Sequence, residues 1–160
     1  MPTKPAAESR NKTREHERVF TEAERAAVAA TARERTAASG RSPAEERAQG
    51  LQDLRDSLAK MPTDDRAMGE RIHQIVTDAA PALVAKTYYG MPAYATEGKN
   101  GKVIAFFKPK SKFKVRYSTF GFQPDAKLDD GQMWPTEFAV LELTPAIERR
   151  IAGLIKKAAG

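Results

Sequence analysis

Apolar residues recur at helical spacing up to about Ala80 and then alternate in and out at period two from Val84. Thr21-Glu22-Ala23-Glu24 has the form of a capping box, in which a Thr hydroxyl and a Glu three residues on satisfy orphan amides at a helix start. The helix predicted behind it runs to about Ala38 and ends at Gly40. It is rich in Ala and Arg, has little to bury, and is expected to be exposed and frayed. A second capping box, Ser42-Pro43-Ala44-Glu45, opens a helix whose apolar face is Leu51, Leu54, Leu58 and Met61, with Gly50 as a candidate break. A third helix is predicted after Thr63. Asp64 and Asp65 stand in its first turn, Met68, Ile72, Ile75, Val76 and Ala79 form one face, and Pro81 stops it.

Beyond Pro81 the pattern predicts strands. Val84 to Tyr89 is the first, and Gly90-Met91-Pro92 then bends the chain before Ala93-Tyr94-Ala95. Proline cannot donate to a ladder, so Pro92 predicts an edge strand, a bulge or a kink. Lys99-Asn100-Gly101-Lys102 reads as a type I′ hairpin leading into Val103 to Lys108. Phe113 to Thr119 is the next expected strand, with Phe113, Val115 and Tyr117 inward against Lys112, Lys114 and Arg116. A loop carrying Asp129-Asp130-Gly131 and Trp134-Pro135 leads to the last, Phe138 to Leu143. A closing helix starts at Thr144-Pro145 with Ile147, Ile151, Leu154, Ile155 and Ala158 on one face. Helices before and after a run of strands predict an α+β fold: an antiparallel sheet of about four to five strands packed against N-terminal and C-terminal helices.

Composition locates the core. Eleven of twelve aromatic residues lie between Tyr88 and Phe138, so the first fifty residues have little core to offer. Residues 1–40 are expected to form a charged extension, disordered to about residue 18 and helical beyond, ahead of a single domain at 41–160. The chain has no cysteine, which excludes disulfides and thiolate ligands. A polar N-terminus and the absence of long apolar runs predict a cytoplasmic, bacterial-type protein with no membrane partner.

The net charge is +6, and seven basic residues with no acidic one fall between Lys99 and Arg116. Lys108, Lys110, Lys112, Lys114 and Arg116 all occupy even positions, so a hairpin would bring them to one face. Such a face is a polyanion-binding candidate, and its bland alternative is a solvated edge that discourages strand pairing. Glu70-Arg71-Ile72-His73 has the Glu-x-x-His spacing of di-iron helices, but it stands alone, so His73 reads as structural and no metal centre is expected. No nucleophile elbow, phosphate loop or partnered histidine is present, and the domain is read as non-enzymatic and without a cofactor. Tyr89, Met91, Tyr94 and Trp134 are the small-ligand candidates, since aromatics beside a kinked strand commonly line clefts; the alternative is that they pack the end of the sheet.

The segment Thr87-Tyr88-Tyr89-Gly90-Met91-Pro92-Ala93-Tyr94 resembles the signature of the YdhG-like domain-of-unknown-function family, an aromatic-Gly-Met-Pro-Ala-aromatic core. It follows a helix ending at Ala79-Ala80-Pro81 and precedes a Phe-rich strand with Phe106 and Phe107, in the family's order. Tyr117 to Phe122 and Asp129 to Pro135 resemble an actinobacterial branch, and the likeness covers residues 51–160. The resemblance implies a small α/β sandwich and, from one bacterial branch, frataxin-like intracellular iron handling. Frataxin-type iron binding relies on an acidic ridge, whereas the acids here are scattered. The expectation is therefore a YdhG-like domain with an unidentified small ligand or protein partner. Iron handling and nucleic-acid or polyanion binding stand as alternatives.

Overall fold

Each helix start that the sequence marks with a hydroxyl-glutamate pair forms as a reciprocal cap. In the computed structural model, which describes residues 21–37 and 40–160, helix α1 (Glu22–Ala37) opens with Thr21 and Glu24 exchanging backbone-to-side-chain hydrogen bonds of 3.3 and 3.2 Å. Helix α2 (Pro43–Ala59) opens on the same exchange between Ser42 and Glu45. Helix α3 (Thr63–Ala79) begins at Thr63 itself, with Pro62 as an N-cap that offers no side-chain bond. The final helix, α5 (Pro145–Ala159), starts where the Thr144 hydroxyl accepts from the Ile147 amide. The expected disorder up to residue 18 lies outside the described residues.

Between α3 and α5 the chain forms an antiparallel sheet whose order is its sequence order: β1 (Val84–Tyr88), β2 (Met91–Ala95), β3 (Val103–Lys108), β4 (Ser118–Phe122) and β5 (Glu137–Val140). The α+β expectation holds. One face of the sheet presents Tyr94, Phe107, Phe120 and Phe122 to Leu54 and Leu58 of α2, Ile72 and Val76 of α3, and Ile151 and Ile155 of α5. Both helix stripes read from the sequence point into this core, and Arg71 and Glu148 tie α3 to α5 through two 2.8 Å bonds. A smaller cluster of Met91, Ala93 and Phe106 lies apart from it, with Tyr88, Tyr89 and Phe113 packed against them.

Four local expectations fail, each for a tertiary reason. Gly50 does not break α2, because it is where the helix crosses β1: a Cβ there would meet the Ala85 carbonyl oxygen. Pro92 lies on an interior strand rather than an edge. It pairs with Thr87 of β1, and the β2–β3 ladder begins only at Ala93↔Phe106, so its missing donor is not required. A register shift falls not at Pro92 but between Tyr94 and Ala95, against β3. Asn100-Gly101 is no type I′ turn, and neither residue has positive φ. The shift pairs Ala95 with Val103, so residues 96–102 must be spanned. Thr96 and Lys102 close that loop with bonds of 2.9 and 2.8 Å.

The fourth failure moves the basic residues. The strand expected from Phe113 begins only at Ser118; before it the chain makes a one-turn helix, α4 (Lys110–Phe113), followed by Lys114 at φ 54°. Asp65 explains the change. Its carboxylate, in the first turn of α3 and only 2% exposed, accepts the Ser111 amide at 3.1 Å, while the Ser118 hydroxyl accepts the Lys110 amide at 3.0 Å. Val115 and Tyr117, expected inward, are 46% and 37% exposed. Helix α1 also departs from expectation, since it buries Ala27 and Thr31 and packs along β1 rather than standing free.

Candidate ligand-binding cleft

The motif that resembles the YdhG signature folds into a two-residue hairpin. Tyr88 pairs with Met91, leaving Tyr89 and Gly90 as the loop at φ 50° and 76°. Both central residues of a type I′ turn need positive φ, which glycine accepts freely and tyrosine does not. A strained tyrosine persists only where its surroundings hold it. Three side chains from three elements do so. Ser57 of α2 donates to the Gly90 carbonyl at 2.8 Å, Glu34 of α1 accepts from the Gly90 amide at 3.1 Å, and the Lys112 ammonium of α4 donates to the Tyr89 carbonyl at 3.3 Å.

Around this fastened turn lies a cleft of about 660 Å³ bounded by α1, α2, the turn and α4. Ala26, Ala30, Met61 and Pro109 give it apolar walls. Its charged lining mixes Arg33, Lys60 and Lys112 with Glu34, Asp53, Asp56 and Asp65. Burial pulls the Lys112 ammonium below the ordinary lysine value; Glu34 opposes that shift and Lys60 reinforces it. A cleft that sets apolar walls beside converging charged groups and a perturbed titrating side chain is a candidate ligand site.

The residues singled out from the sequence meet only in part. Tyr89 belongs to the turn, but Met91 is buried in the smaller cluster. Tyr94 is 2% exposed in the main core, and Trp134 packs against that same core from the β4–β5 loop. These four do not line one cavity. Of the five cations, Lys112 turns into the cleft, while Lys108, Lys110, Lys114 and Arg116 surround α4 without lining it. Glu34, Ser57 and Lys60 escaped the sequence reading, because no spacing signal links residues brought together from separate helices.

Glu70 is exposed, and His73 is half-buried with its Nδ1 3.1 Å from the Tyr94 hydroxyl and its ring stacked on the tyrosine. Among the described residues no three His, Asp or Glu side chains converge as metal ligands would. Burial, followed by the Arg55 charge, lowers the His73 pKa below 6.5. The folded state therefore binds fewer protons than the unfolded chain just below pH 6.5. Stability should be fully present above that value and decline as pH falls through the window beneath it. His73→Gln should flatten that decline in urea melts taken between pH 7.5 and 5; an unchanged profile would clear His73 of the effect.

No described helix is long and apolar enough to cross a membrane. Comparison of the chain with protein-family models, with curated proteins and with solved structures found no match.

Proposed function

We propose that this chain is a non-enzymatic, YdhG-like binding module whose small ligand occupies the cleft over the Tyr89-Gly90 turn. The observation that carries this reading is the fastening of one strained turn by Ser57, Glu34 and Lys112. A turn needed only to reverse the chain could use Asn-Gly and dispense with all three contacts. The residues of the resemblance thus supply one wall of the cleft, and the helix that precedes the domain supplies another. Bound molecules would meet an apolar surface from Ala26, Ala30 and Met61 and one ammonium partly withdrawn from water. Iron handling gains nothing comparable, since no ligand cluster is formed by the described residues.

Deleting residues 1–41 tests the reading, because it removes α1 and leaves the main core, to which α1 contributes no residue. The shortened domain should melt within a few degrees of the full chain, given that about 1 kcal/mol moves a domain of this size by roughly 3–6 °C. Amide NMR with a library of small fragments should give shifts clustered at Ser57, Lys60, Gly90 and Lys112 in the full chain. The same fragments should leave the shortened domain unmoved. Shifts centred elsewhere, or equal in both proteins, would overturn the assignment.

A further inference from the structure

The loop that sends Lys112 into the cleft presents its other cations outward. Lys114 and Arg116 are exposed, and Lys108 and Lys110 are half-buried. No Asp or Glu occurs from Gly98 to Pro124. Two carboxylates approach from other elements: Asp65 accepts the Ser111 amide and Glu34 the Gly90 amide. Among the described residues, none of the four outward cations makes an ion pair.

Aromatic rings are interleaved with these charges. The Lys108 ammonium stands 4.6 Å from the centre of the Phe113 ring, and the Arg116 guanidinium lies 5.4 Å over Tyr117. The helical turn and the left-handed Lys114 fold the segment back on itself, with the Val115 amide donating to the Lys110 carbonyl at 3.1 Å. A strand would have spaced five cations along one line. The observed loop instead turns back on itself, with Lys108 over the Phe113 ring and Arg116 over Tyr117.

We propose that the Lys108–Tyr117 loop is a docking surface for single-stranded nucleic acid, with its cations on phosphates and the exposed Tyr117 as a stacking plane for unpaired bases. Charge complementarity argues for a polyanion, and the exposed ring of Tyr117 argues for one whose bases are accessible. A duplex hides its base faces, and sulfated polysaccharides have none. Specificity for base sequence is not expected, because phosphate contacts position a strand without reading it.

Fluorescence anisotropy on the full chain, with a labelled 20-nucleotide oligothymidylate at several salt concentrations, tests the proposal. Four phosphate contacts predict a log–log salt slope near −3, at about 0.7 per contact on a single strand. The combined variant Lys110→Gln, Lys114→Gln, Arg116→Gln should flatten that slope by about 2. Tyr117→Ala should weaken binding roughly ten- to a hundredfold at unchanged slope, the usual worth of one stacked base. Circular dichroism checks that each variant folds, and Arg116→Glu, at an exposed position, gives the same readout should the triple variant unfold. Binding unaffected by the triple variant overturns the proposal. So does affinity for heparin, a matched duplex or anionic vesicles that equals the single strand and is indifferent to Tyr117→Ala.

Discussion

Replacing Tyr94 with alanine is expected to lower the unfolding free energy by about 3–5 kcal/mol, the usual cost of emptying a large buried aromatic site. Tyr94 sits on the interior strand β2, is 2% exposed, and packs in the main cluster with Phe107, Phe122 and Leu54. Truncation would also leave His73 Nδ1 without its 3.1 Å partner. Tyr94→Phe keeps the ring and removes only the hydroxyl, so about 1 kcal/mol is expected there. Urea denaturation of both variants separates packing from hydrogen bonding. A loss below 1 kcal/mol for Tyr94→Ala would show that the core closes over the gap. Burial also raises the Tyr94 pKa well above that of a free phenol, so the hydroxyl keeps its proton beside His73 across neutral pH.

Gly50→Ala carries the second large effect, and its sign is the informative part. At an exposed position inside a helix this change stabilises by about 1 kcal/mol, because glycine costs backbone entropy. Here the added methyl would overlap the Ala85 carbonyl oxygen, a backbone atom of β1 that cannot swing aside. Either α2 lifts from β1 or the strand distorts, and a loss of about 3 kcal/mol is expected. Gly98→Ala gives a contrast: it lies in the β2–β3 loop with nothing near its missing Cβ and φ of +105°, so its cost is backbone strain alone. Thermal melts rank the two. Stabilisation by Gly50→Ala would mean that α2 does not lie against β1 as described.

Elements specified within a few residues of themselves were legible in the sequence. The caps at Thr21, Ser42 and Thr144 are closed by partners three residues away, and the Ile72-Val76 and Ile151-Ile155 stripes need only a helix to acquire direction. What could not be read depends on distant partners. Asp65 reaches across 46 residues to Ser111 and turns an expected strand into α4. Gly50 looks like a defect until β1 is laid against it. The two hairpins make the same point: Asn100-Gly101 has the better local chemistry, yet the register shift at Tyr94 lengthens its loop. The less favourable Tyr89-Gly90 becomes the tight turn because Glu34, Ser57 and Lys112 hold it. The cleft was invisible for that reason, its lining being drawn from segments with no shared period.

The sequential strand order has a kinetic consequence. Each strand pairs with its immediate neighbours in the chain, so the sheet can be assembled as successive hairpins, each closing a loop of modest length. Loop-closure entropy rises only slowly with length, but a hairpin still meets its partner sooner than distant helices meet each other. The long closure is that of α5 on α3, across 77 residues between Arg71 and Glu148. Until it occurs, the cluster around Tyr94, Phe107, Phe120 and Phe122 lacks Ile151 and Ile155 of α5. The stretch of nascent chain at greatest risk of adhering to other unfolded chains is therefore the finished meander waiting for α5.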